Sequence, residues 1–225
     1  MKTPGRLAQF VRRRFRSSFR SQQATFTAIF EANAWGDTES VSGPGSTRAR
    51  GADIQDELIA LLDRLRIRSI VDAPCGDFNW MRDVLARRPV IYTGIDIVPA
   101  LVDRNRRAFA SATRRFEHGD ITRSDLPEAD LVICRDFLVH LSFADARAAL
   151  RNIKRSRSHY LLATTFADRV RNRDIPTGGW RPLNLTAPPF DLAPPLVSID
   201  ERCTHSGGIY RDKRLGCWDL TALEI

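Results

Sequence analysis

The 225-residue sequence is poor in the residues that build metal sites and disulfide frameworks, with only 4 cysteines and 4 histidines. No two of Cys75, Cys134, Cys203 and Cys217 form a CxxC pair, and no histidine cluster stands near them. A zinc centre is therefore not expected, and no metal is expected elsewhere. Cys75 and Cys134 lie in or beside apolar runs, where a small buried thiol fits. Nothing calls for an oxidising compartment, and the expected location is cytoplasmic. Also missing is any run near the ~18 apolar residues that span a bilayer. The basic start is not followed by an apolar stretch, so no secretory signal is expected. Neither phosphate-cradling signature occurs: there is no GxGxxG and no GxxxxGK[ST].

Acid is absent from the first thirty residues. Lys2, Arg6, Arg12, Arg13, Arg14, Arg16 and Arg20 all precede Glu31 and carry all but one of the net +8 charges. The remainder is nearly neutral, which argues against a nucleic-acid-binding catalytic face. Leu7, Val11, Phe15 and Phe19 recur every fourth residue, the spacing of one helical face. Such a face suits contact with an anionic membrane or a nucleic acid. A mitochondrial transit peptide has a similar composition, and the plain alternative is a solvated terminal arm. Residues 1–30 are thus read as a basic arm and 31–225 as one domain, a length that suits a single core.

Beyond the Gly/Ser-rich stretch 34–47, an amphipathic helix is expected over 53–65 with Asp53 as N-cap. Strand and helix patterns then alternate. Strands are expected at 68–73, 90–97, 115–118, 130–134 and 159–165, and helices at 80–87, 100–112 and 144–154. Alternation of this kind calls for a parallel sheet with helices on both faces. Right-handed crossovers place the strand C-termini on one edge. Residues 168–195, rich in Pro and Gly, read as a loop insertion. Two late strands near 196–199 and 215–220 suggest a hairpin-like ending.

The chemistry is expected where the strands end. The first strand runs into Asp72-Ala73-Pro74-Cys75-Gly76-Asp77-Phe78, and the second ends at Asp96-Ile97. An acid about 20 residues past the first turn is placed to take ribose hydroxyls, for which an acceptor-only carboxylate is suited. A dinucleotide needs bare backbone N–H groups for its pyrophosphate. Pro74 lacks one and Phe78 adds bulk, which disfavours NAD or FAD. S-adenosylmethionine carries no phosphate. Its ammonium would suit Asp72 and the turn carbonyls, Gly76 would permit close approach, and Asp120-Ile121 would serve the adenine.

At these residues the chain resembles the class I methyltransferases, over about residues 55–165. The first motif, normally an acid followed by GxGxG, retains only Gly76; Gly94-Ile95-Asp96 and Gly119-Asp120-Ile121 match the second and the adenine motifs. DLVICRDFLVHLS is similar to the post-strand motif of small-molecule members. AWG–ES–SGPGS and NRDIPTGGWRPLNL look like a bacterial subfamily of uncharacterised members. The resemblance implies a Rossmann-like, doubly wound α/β fold: a mostly parallel seven-stranded sheet with helices on both faces. It also implies S-adenosylmethionine as cofactor.

Asp136 and His140, directly after the fourth strand, are the candidate general bases for an oxygen nucleophile, and Arg135 is a candidate cofactor-binding residue that could orient an acidic group. Trp35, Asn172, Asp174, Trp180 and Arg181 are the candidate acceptor-binding set, since Trp faces with polar partners suit a glycan or another small polar acceptor. Two rival readings are a nucleic-acid methyltransferase using the arm, and a non-enzymatic binding module of the same fold.

Overall fold

The computed structural model describes residues 21–224. The arm residues Leu7, Val11, Phe15 and Phe19 lie outside the described residues. The first element, α1 (Gln22–Glu31), is capped by Ser21, whose hydroxyl accepts from Ala24 N. Phe26 and Ile29 on its inner side are buried in the core. The expectation of an arm to residue 30 is corrected for 22–30, because Phe26, Ile29 and Phe30 share one helical face that the core takes up.

Next comes α2 (Arg48–Arg64), which buries Ile54, Leu58, Leu61 and Leu62. It starts five residues before the expected position and its cap is Thr47, not Asp53; Asp53 instead pairs with Arg50. Gly51 is needed inside this helix, since a Cβ there would lie 2.7 Å from Trp80 Cβ.

Five strands then alternate with helices: β1 (Ser69–Asp72), α3 (Met81–Arg87), β2 (Ile91–Asp96), α4 (Pro99–Phe109), β3 (Arg114–His118), β4 (Leu131–Cys134), α5 (Phe143–Arg155) and β5 (Tyr160–Phe166). Two more strands, β6 (Val197–Asp200) and β7 (Lys213–Asp219), complete a seven-stranded sheet of order β3-β2-β1-β4-β5-β7-β6. β7 lies antiparallel to both β5 and β6; the other pairings are parallel. The doubly wound α/β expectation therefore holds, including its antiparallel end.

Period-two alternation divides the core. Val71, Val132 and Leu161 face one side with α1 and α5, while Ile70, Leu131 and Leu162 face the other with α2 and α3. Each such side chain contributes about 1.5–3 kcal/mol of burial, so both sheet faces need a helical cover. Phe78 packs in the second layer against Tyr92, Phe109 and Phe116. Its ring is fully buried, which corrects the expectation that it crowds the turn after β1. Among the described residues no helix is long and apolar enough to cross a membrane.

Candidate active site

A cavity of about 1290 Å³ opens over the C-terminal ends of β1, β2 and β4. Topology explains the place: the order reverses between β1 and β4, so the loops after them diverge and leave a crevice. The volume exceeds the ~300–1,000 Å³ typical of one small-molecule site, so there is room for two ligands side by side.

One end of the cavity is built from the two strand-end acids and the turn between them. Asp72, Pro74, Cys75, Gly76, Asp96 and Ile97 all line it. Asp72 is 2% exposed and accepts from Tyr92 Oη at 2.7 Å. Burial pushes its carboxyl up to about 7, against the Tyr92 hydrogen bond. Burial likewise raises Asp96 to about 6, although its oxygens accept from Val98 N and Gly76 N at 3.0 Å each. Gly76 sits at φ +54°, and a Cβ there would come 2.3 Å from Ser42 Oγ. A strap formed by residues 41–46 therefore rests directly on the turn. It is pinned by Asp77, which accepts from Val41 N and Asn79 N, and by Ser42 Oγ, which accepts from Asp77 N. Arg135 adds a hydrogen bond to Gly45 O.

Beside the strap lies a buried charged group. Arg135 pairs with Glu201 at 2.6 Å, and Lys213 pairs with Asp136 at 2.6 Å and with Glu201 at 3.1 Å. Burial raises Asp136, but Lys213 and Arg135 outweigh it and hold the carboxyl well below its ordinary value. A carboxylate so strongly stabilised is a poor proton acceptor, which separates it from its fellow candidate.

His140 belongs to a turn of 3₁₀ helix after β4 and also lines the cavity. Its Nδ1 lies 2.7 Å from Gly179 O. A carbonyl only accepts, so Nδ1 carries the proton and Nε2 keeps its lone pair. Among the described residues nothing donates to Nε2. Burial lowers the imidazole pKa, outweighing the Gly179 bond and Asp136, so the ring is neutral near pH 7. The far wall is aromatic, with Trp35, Phe137, Phe166, Trp180 and Tyr210.

Several expected site residues are not brought to this cavity. Asp120 spends Oδ1 on Thr122 N and Oγ1 and pairs Oδ2 with Arg123; Ile121 is buried in the core. Ala73 is likewise buried, and Asp77 holds the strap. Asn172 donates to Asn184 O, Ala187 O and Pro188 O, and Asp174 accepts from Phe143 N. Arg181 donates to Leu138 O and Leu141 O, and burial lowers it to about 10. These three fasten the 168–195 insertion to the body, because a long loop must satisfy its own backbone groups. Sequence reasoning missed Glu201, Lys213 and Tyr210, which arrive from the distant β6–β7 segment. It also missed Phe26 and Phe30, whose helical spacing was a readable signal. Among the described residues no group of three or more His, Cys, Asp or Glu is placed to hold a metal ion.

Comparison with known proteins agrees with this geometry. A family described as "Methyltransferase domain" matches residues 70–158. Uncharacterised methyltransferases of Mycobacterium tuberculosis (H37Rv) and Mycobacterium bovis are each 33% identical over 100 residues, 44% of this chain and 49% of theirs. The chain thus spans about half the length of the curated relatives it matches. Among solved structures, human N-acetylserotonin methyltransferase in complex with S-adenosylmethionine superposes with a TM-score of 0.63 at 16% identity, covering 96% of this chain and 65% of that one. The magnesium protoporphyrin IX methyltransferase of Synechocystis PCC 6803 gives 0.51 at 16% identity, covering 70% and 82%. The family match thus covers β1–α5, and the seven-stranded order is a fold shared with these methyltransferases, to which the chain is similar.

Proposed function

We propose that the protein methylates a hydroxyl oxygen of a small-molecule acceptor, with His140 as general base. The observation that carries this reading is the Nδ1–Gly179 contact, which supports a neutral imidazole with a free Nε2 lone pair in the shared cavity.

The residues at the strand ends suit S-adenosylmethionine. Asp72 is a buried carboxylate in a cavity wall, suited to an ammonium; Asp96 has lone pairs left for a ribose diol; Gly76 lines the same wall. When bound, that cofactor supplies an electrophilic methyl group on a sulfonium. The protein's own work is to hold the acceptor oxygen in line, to exclude water, and to take the hydroxyl proton on His140 Nε2. Asp136 keeps Lys213 paired and lies too low in pKa to share the proton. The glycan alternative loses support because Asn172, Asp174 and Arg181, which would pair sugar hydroxyls, bond to the protein's own backbone.

Calorimetry with S-adenosylhomocysteine, using Asp96→Ala as control, tests the cofactor assignment. Micromolar binding lost in the variant is expected; no binding at protein concentrations that would reveal ~100 μM affinity overturns the reading in favour of a non-enzymatic module. His140→Gln is expected to keep S-adenosylhomocysteine affinity and lower turnover by about 10²–10⁴-fold.

A further inference from the structure

The cavity's acceptor end is more aromatic than a generic pocket requires. Aromatic residues make up 8% of the chain, yet Trp35, Phe137, Phe166, Trp180 and Tyr210 all line this cavity. Phe166, Trp180 and Tyr210 form a mutually edge-on trio, with centroids 5.0–6.2 Å apart. In the same cavity Trp35 packs on His140, and Phe26 on Phe137. Trp180 remains 37% exposed, a large indole left uncovered at the cavity wall.

The charged groups at this end are paired with one another, while Trp35 Nε1 is a buried donor without a partner. Arg135 and Lys213, the Arg and Lys residues that line the cavity, are paired with Glu201 and Asp136. A charged acceptor would lack a counter-ion. A polyol would bring several hydroxyls, one of which Trp35 Nε1 could meet, at a cost of about 1–3 kcal/mol for each one left unpaired. A flat aromatic ring has no such groups on its faces, and each ring pair gains about 0.5–1.5 kcal/mol beyond burial. The balance between these terms selects the ring.

Resting on the methyltransferase reading above, we infer that the acceptor is an uncharged, planar aromatic compound bearing a ring hydroxyl. Its ring lies among Trp35, Phe166, Trp180 and Tyr210, and its hydroxyl is directed to His140. The methyl carbon bonds to the ring oxygen as its bond to sulfur breaks, and the hydroxyl proton goes to Nε2.

The test is calorimetry on the full chain saturated with S-adenosylhomocysteine, titrated with 2-naphthol and, separately, with methyl glucoside. Naphthol is expected to bind and methyl glucoside not to bind at millimolar concentration. Trp180→Ala and Tyr210→Ala should each weaken naphthol about tenfold while S-adenosylhomocysteine affinity is unchanged, which also shows that the variants are folded. Preference for methyl glucoside, binding of neither probe, or naphthol affinity untouched by both variants overturns the inference and leaves the methyltransferase reading standing. Failure of S-adenosylhomocysteine itself to bind overturns the reading beneath it, so the two failures are distinct.

Discussion

The indole of Trp35 lies against the imidazole of His140, with ring centroids 5.2 Å apart and planes tilted by 40°. The Gly179 carbonyl fixes the ring in its plane, and Trp35 covers one face. Burial lowers the His140 pKa, so the neutral, competent form should persist below pH 6.5 and the acid limb of kcat/KM should fall there. Trp35→Ala admits water and moves that limb up towards 6.5, so activity drops more at pH 6 than at pH 8. The same indole has a buried Nε1 with no partner. An unsatisfied donor costs about 1–3 kcal/mol, so Trp35→Phe, which keeps a ring and removes the donor, should lose no stability in urea unfolding. A pH profile unmoved by Trp35→Ala would detach Trp35 from the base.

Asp72 makes stability depend on pH in an unusual direction for a carboxylate. Burial raises its pKa to about 7, above the ordinary 3.8. The folded protein therefore holds a proton that the unfolded chain has released. That contribution is fully present below pH 3.8 and is lost as pH rises through about 7. Asp72→Asn keeps an oxygen for Tyr92 Oη and removes the buried charge. It should melt about 4 °C higher than the native chain at pH 8, with a smaller difference at pH 6 and weakened S-adenosylhomocysteine binding. A melting difference independent of pH would show that Asp72 ionises as if solvated.

The readable part of this molecule was what local pattern and topology dictate. β1, β2 and β4 are apolar runs ending in or before polar residues, and parallel winding sends their C-termini to one edge. Asp72, Gly76, Asp96, Arg135 and His140 reach the cavity for that reason. The loop residues were not readable in the same way. No periodicity sets where Asn172, Asp174 and Arg181 point, and backbone groups of the insertion and of residues 138–143 claimed them. The start of α2 was hidden because Gly51 looks like a breaker until Trp80 is seen against it. Glu201 and Lys213 carry no motif; they matter only because β7 runs beside β5.

Glu201 is the hinge of the buried charges, since it alone contacts both Arg135 and Lys213. The Arg135 and Glu201 side chains are 4% and 2% exposed, so solvent cannot replace the lost partner. Glu201→Gln should therefore destabilise the fold by about 3–5 kcal/mol in urea unfolding. Adding Arg135→Met should recover part of that loss, because the stranded charge goes with it. A cost below about 1 kcal/mol would mean that the pair is hydrated and exchangeable, as surface pairs are.

Gly76 ties the strap to the turn. Its φ of +54° costs a side-chain-bearing residue about 1–2 kcal/mol, and a Cβ would also meet Ser42 Oγ at 2.3 Å. The same residue donates its N–H to Asp96 Oδ2, so displacing it disturbs the carboxylate assigned to the cofactor. Gly76→Ala should lower both melting temperature and S-adenosylhomocysteine affinity. Ser42→Gly relieves the clash but not the backbone strain, and it removes the acceptor for Asp77 N. The double variant Gly76→Ala/Ser42→Gly should therefore recover only part of the affinity, and the two changes should couple by about 0.5–3 kcal/mol rather than add. Strict additivity would mean that the strap does not rest on the turn in solution, and that residues 41–46 are not a wall of the cofactor site.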